Sequence, residues 1–264
     1  MVVAPALLAL SAGTLVAANA DDPTSVGGVA EQARKSRGYK FLSKEAGYSY
    51  IARWNPCAKI HYKINARNAP RKGAIADTRK AIRRVHAASG LKFKYQGKTR
   101  MVPKDKSGKP YRGKTDLVIA YTSPKKRSSL KGLAGWGGGY WRQVNKRYAK
   151  FTKGFVLLNS KYRYNYPKGF GTGPRNGHGT RGQLLMHELG HAVGLTHVQQ
   201  KRQIMYPYTL PKKARWGGGD ETGLRKVGRP AGCLGGKAIK GAPARTVSPE
   251  DVQEQNHVTP AGRE

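Results

Sequence analysis

An α+β fold is predicted for this 264-residue chain by three observations. Period-two alternation of apolar and polar residues recurs, at Ile60, Tyr62 and Ile64 and again at Leu91, Phe93 and Tyr95. Between those strands, Ile75, Ile82, Val85 and Ala88 fall at helical spacing. A second helical stretch, with Leu185, Leu189, Ala192 and Val193 as its buried stripe, carries two histidines four residues apart. Hydrophobic residues make up 38%, low but enough for one core. Fifty Lys and Arg against fourteen Asp and Glu give a formal charge of +36. That charge says little about fold and much about company: polyanions, acidic substrates or anionic surfaces.

Taken in order, the chain opens on an apolar run from Val2 to Ala17 that ends in Ala18-Asn19-Ala20. The small-x-small ending predicts a secretory signal over 1–20, although no basic residue precedes the run. Pro5, Ser11, Gly13 and Thr14 interrupt it, and no later stretch is long and apolar enough to cross a bilayer, so no stable membrane insertion is expected. Asp21 to Trp54 is mixed and turn-rich; residues 21–53 read as a short pro-segment or a surface arm, with no element assigned. The first strand follows from Lys59. The helix runs from Gly73 to Ser89 and is closed by Gly90, and the second strand begins at Leu91. After a Lys/Gly/Pro loop, the continuous apolar run Leu117-Val118-Ile119-Ala120 predicts a buried strand. Leu130 to Tyr140, with Gly137-Gly138-Gly139, reads as an edge strand or a glycine-rich loop, and Gly154 to Asn159 as a further strand. Thr180 and Gln183 have the spacing of a capping box and set the start of the second helix. Near Gly218, Asp220 is a plausible N-cap for a last helix.

The chemistry concentrates between residues 187 and 197, which read H-E-L-G-H-A-V-G-L-T-H. On a helix, His187 and His191 lie on one face a turn apart, close enough to reach one Zn²⁺. Gly194 supplies the permissive backbone for leaving the helix, and His197 can return as a third ligand. Three protein ligands leave one position of a tetrahedral ion open, the arrangement of a catalytic site. Glu188, beside the ligand face, is placed to act on water as a base rather than as a ligand. His178 reads as a loop residue and His61 as a strand residue.

Two cysteines, Cys57 and Cys233, bracket these features, and in an exported protein one even pair suggests a disulfide. From Leu117 to His187 there is no Asp or Glu, so calcium, which takes six to eight oxygen ligands, is not expected. The tail at 235–264 is Gly, Pro, Ala and charge, and is expected to be flexible.

The eleven-residue stretch resembles the zinc signature of the metzincin metallopeptidases, and Ile204-Met205-Tyr206-Pro207 resembles their Met-turn. With its methionine eight residues after His197, the chain is most similar to small secreted bacterial matrixin-like peptidases, roughly from Arg53 to Leu234. The resemblance implies a catalytic domain at 54–234. Its architecture would be a twisted, mostly parallel five-stranded sheet with an antiparallel edge strand, a zinc helix, a Met-turn and a C-terminal helix. One catalytic Zn²⁺ is implied, with Glu188 as general base and Met205 as an apolar floor. It also implies that Gly135, Trp136 and Gly137 line a substrate cleft by strand addition, and that Tyr206, Pro207 and Tyr208 help wall a specificity pocket. Here Tyr208 follows Pro207 directly, one residue short of the animal enzymes, so their preferences do not carry over. The latency cysteine of matrixin pro-segments has no counterpart before Cys57.

The function implied is that of a secreted zinc-dependent endopeptidase acting on proteins or peptides. Two other readings share these residues. A basic secreted protein could bind an anionic polymer through Lys, Arg and aromatics interleaved at Tyr140 to Phe151 and Lys161 to Tyr166, with zinc structural or catalysis lost. A zinc amidase acting on cell-wall peptides would use the same ligands. No specific nucleic-acid partner is expected, since no binding motif for one is visible, and no oligomer is predicted.

Overall fold

The sheet at the centre of the molecule is fixed by one fully buried strand. The structure is a computed structural model that describes residues 38–70, 72–104, 110–175, 177–236, 238–240 and 243–246. The predicted signal at 1–20, residues 21–37 of the arm and residues 247–264 of the tail lie outside the described residues. Strands are β1 (Lys40–Phe41), β2 (Ile51–Arg53), β3 (Lys59–Asn65), β4 (Lys92–Lys98), β5 (Leu117–Thr122), β6 (Gly135–Gln143), β7 (Tyr148–Asn159) and β8 (Leu195–Thr196). Helices are α1 (Leu42–Glu45), α2 (Ala74–Ser89), α3 (Arg181–Ala192) and α4 (Gly218–Val227). All six residues of β5 are buried, as expected of a strand in a parallel sheet covered on both faces.

The main sheet has the order β2-β7-β5-β3-β4, all parallel, with β6 added antiparallel to β7. This is the mostly parallel sheet with an antiparallel strand that the resemblance implied. It has six strands where five were expected. The sixth, β2, lies in the stretch to which the sequence assigned no element, because three residues are too few to show a period. Ahead of it, β1 pairs antiparallel with β8, joining Lys40 to Thr196 and Phe41 to Leu195. The described residues from Gly38 onward form one compact unit.

Helix α2 covers one face of the sheet with Ala74, Thr78, Ala81, Ile82 and Val85, and ends where Gly90 takes the left-handed conformation at φ 70°. Its first turn is tied to the start of α3 by a buried pair, in which Arg181 Nε donates to Asp77 Oδ2 at 2.8 Å. The same oxygen accepts from Gly169 N–H at 3.0 Å, and Arg181 also donates to the Lys72 carbonyl at 3.1 Å. Behind the sheet's far end, Trp54 stacks on Phe151 at 5.5 Å and donates from Nε1 to the Ala192 carbonyl at 2.9 Å, which pins the end of α3.

Two local expectations are corrected. The capping box is not formed: Thr180 precedes α3 without a side-chain cap, and the Gln183 amide pairs instead with the main chain of Leu210 (2.7 and 3.2 Å). Asp220 is not an N-cap; Gly217 is, and Asp220 sits three residues into α4, accepting from Gly217 N–H at 2.9 Å. Among the described residues of the tail, Ile239 and Arg245 meet β6. Trp141 and Arg245 exchange both main-chain hydrogen bonds at 2.9 Å, and Ile239 N–H donates to the Gln143 carbonyl at 3.0 Å. Cys57 and Cys233 form a disulfide with Cα atoms 5.4 Å apart, joining residues separated by 176 positions. In the chain-entropy view a closure this long stabilises by about 4–5 kcal/mol. Among the described residues, no helix is long and apolar enough to cross a membrane.

Candidate metal centre

Every one of the twelve residues of α3 is buried, so the helix carries its histidines inside the molecule rather than on a wet face. The imidazoles of His187 and His191 meet at nearly a right angle, with ring centroids 4.8 Å apart. Past the helix the chain turns at Gly194, whose φ of 110° suits glycine; a Cβ there would also meet the Ala52 carbonyl oxygen at 2.5 Å. The returning strand β8 is clamped by β1, and Leu42 N–H donates to the Gly194 carbonyl at 2.8 Å. Together these contacts deliver His197 opposite the other two.

The three Nε2 atoms converge, 3.1 Å apart for His187 and His197 and 3.2 Å for each of the other pairs. His187 Nδ1 lies 2.8 Å from the Ile204 carbonyl and His191 Nδ1 lies 3.0 Å from the Leu195 carbonyl. A carbonyl can only accept, so both Nδ1 atoms carry the proton and both Nε2 atoms present lone pairs to the centre. Burial, opposed by the Ile204 contact, pushes His187 down to about 4. Burial and then the neighbouring imidazoles hold His191 and His197 well below the usual histidine range. Neutral imidazoles with facing lone pairs repel unless a cation lies between them. Zn–N bonds of about 2.0–2.1 Å at tetrahedral angles require nitrogens about 3.3 Å apart, close to what is found. The donor set fits zinc.

Glu188 is fully buried, and neither carboxylate oxygen has a hydrogen-bond partner. Burial pushes its carboxyl up to about 8; the Gly137 N–H pulls the other way without meeting either oxygen in a full hydrogen bond. A cation held by the three imidazoles would favour the ionised form. Strand β6 packs directly on this residue. A Cβ on Gly135 would come within 2.5 Å of Glu188 Oε1, and one on Gly137 would collide with the Glu188 main-chain carbonyl. The Gly-Trp-Gly sequence is therefore a contact requirement. Trp136 between them is buried, its ring 6.5 Å from that of His191, so its side chain belongs to the core.

Met205 is buried against Gly190, where any side chain on Gly190 would strike its sulfur. Asp220 organises the turn around it, a role the sequence did not reveal. Its carboxylate accepts from Ile204 N–H at 2.5 Å and Met205 N–H at 3.3 Å, besides Gly217 N–H. The Ile204 carbonyl orients His187, and the Met205 carbonyl accepts from Val198 N–H at 3.0 Å, next to His197. One buried acid of α4 thus sets two ligands through the main chain. Burial raises its carboxyl to about 6, against the pull of those N–H groups and Lys212. Tyr206, Pro207 and Tyr208 are half-buried, with the two tyrosine rings 5.8 Å apart. His178 stacks on Tyr166 at 5.5 Å, and His61 lies 3.1 Å from Asp116 Oδ2; neither joins the triad.

Such a triad on such a sheet resembles the metal centre of the metzincin peptidases. The comparison with known families agrees: residues 149–227, from β7 through α4, match the matrixin peptidase family, and zinc metallopeptidase chemistry is the activity of that class. No curated protein matches the chain.

Proposed function

We propose that this chain is an exported zinc endopeptidase in which Glu188 is the general base. The observation that carries the reading is a buried carboxylate without hydrogen-bond partners, one residue from a convergent histidine and held against the edge strand β6. Zinc, when held by His187, His191 and His197, supplies Lewis-acid polarisation of the scissile carbonyl and acidifies water. Glu188 takes a proton from the attacking water and delivers it to the departing amine, so the C–N bond breaks with the leaving nitrogen neutral. A peptide is positioned by main-chain hydrogen bonds along the outer edge of β6 from Gly135 to Tyr140, with Tyr206, Pro207 and Tyr208 on the opposite wall. Export is supported by the signal-like 1–20 segment and by a disulfide at an exposed site.

Mass-spectrometric profiling of an unfolded protein mixture, treated with the full chain or with Glu188→Ala, tests the reading. The full chain should create new internal peptide ends, and Glu188→Ala should slow their appearance on the order of 10²- to 10⁴-fold. A zinc-loaded chain that creates none would overturn the endopeptidase reading and favour a narrow substrate such as a cell-wall peptide.

A further inference from the structure

The outer edge of β6 has a second user. Trp141, at the far end of this strand from Gly135, exchanges both of its main-chain hydrogen bonds with Arg245 of the tail at 2.9 Å, an antiparallel bridge. Two residues on, Ile239 N–H donates to the Gln143 carbonyl at 3.0 Å. A side-chain anchor backs the bridge: the Arg245 guanidinium lies 5.7 Å from the centre of the Tyr48 ring, which in turn meets Trp141 edge-on at 5.9 Å. The contact is specific in main chain and side chain alike.

A strand edge offers each N–H and carbonyl once, so two chains cannot pair with the same residues. Trp141 lies four residues from Gly137, about 13 Å along the strand. Four positions therefore separate the part of the edge beside Glu188 from the part that Arg245 occupies. We propose that Ile239 and Arg245 of the tail occupy part of the substrate edge of β6 and limit how far along it a peptide can pair. Short peptides bind without disturbing the tail, whereas longer ones must displace Arg245 and Ile239. The inference rests on the peptidase reading of β6.

The test uses the full chain and Arg245→Pro, which removes the N–H donated to Trp141 and forbids the bridge. Two peptides share one cleavage sequence, one of about six residues and one extended by about five at each end, enough to reach past Trp141. Arg245→Pro should raise kcat/KM for the long peptide about five- to tenfold, the worth of one or two main-chain hydrogen bonds, and leave the short one unchanged. Hydrogen exchange at the Trp141 amide should accelerate in the same variant. Equal effects on both peptides, or none, would overturn the proposal while leaving the peptidase reading intact. Unchanged exchange at Trp141 would overturn the tail's place on the edge. Failure of either protein to cut either peptide would remove the peptidase reading, and this inference with it.

Discussion

Helix α3 and strand β4 use polar residues in opposite ways. In α3 the polar side chains are buried and, Glu188 apart, held by named contacts: His187 by the Ile204 carbonyl, His191 by the Leu195 carbonyl, Arg181 by Asp77 and Gln183 by Leu210. In β4 the lysines at 92, 94 and 98 point to water at alternate positions, while Phe93 and Tyr95 turn inward to Tyr62. Lys92 stands beside Lys59 and Lys94 beside His61 on the neighbouring strand, so charge is spread over several equivalent groups. Buried polarity is specific and costly to disturb; exposed charge is redundant and cheap to change. The +36 balance belongs to the second kind, and the metal centre to the first.

That contrast can be broken by substitution. The largest stability effect is expected at Asp220, where alanine would leave the N–H groups of Ile204, Met205 and Gly217 without their acceptor. A loss of about 3–5 kcal/mol should follow, lowering the melting temperature by about 10 °C in a domain of this size. Because Ile204 orients His187, zinc affinity should fall as well. Asp220→Asn keeps one acceptor oxygen and should fall between the two. Calorimetry and a zinc titration on the same samples check both effects; a melting temperature unchanged by Asp220→Ala would break the contrast. At the other extreme, Lys92→Ala and Lys94→Ala should each change stability by less than about 0.5 kcal/mol and leave zinc content and cleavage as they were. A large effect at either lysine would show that β4 has a specific partner within the fold.

The same contrast explains what could be read from sequence. The triad was legible because its chemistry is local: His187, Glu188 and His191 share one helix, and Gly194 brings His197 back within eleven residues. The helix ending at Gly90 and the buried run of β5 were legible because local pattern marks them: helical spacing closed by a glycine in the one, an unbroken apolar run in the other. Non-local support was not. Asp220 follows three glycines and has the look of a local cap, yet its carboxylate serves a turn fifteen residues away in the chain. Strands β1 and β2 are too short to show a period and exist only through their partners β8 and β7. The tail, rich in Gly, Pro and Ala, carries no strand pattern, and only the unpaired edge at Trp141 gives Arg245 a place. Gly137 was legible as part of a glycine run and Gly135 only through the family resemblance, but their shared reason, the approach of Glu188, is tertiary.

The central claim, that three buried neutral imidazoles hold zinc while Glu188 acts beside it, is tested most directly by metal content. The full chain, His191→Ala and Glu188→Ala would each be dialysed against metal-free buffer and their zinc measured by plasma mass spectrometry. One zinc per chain in the first and third, with little in His191→Ala, is the result expected. Stoichiometric zinc in His191→Ala, or none in the full chain after zinc has been supplied, would contradict the account.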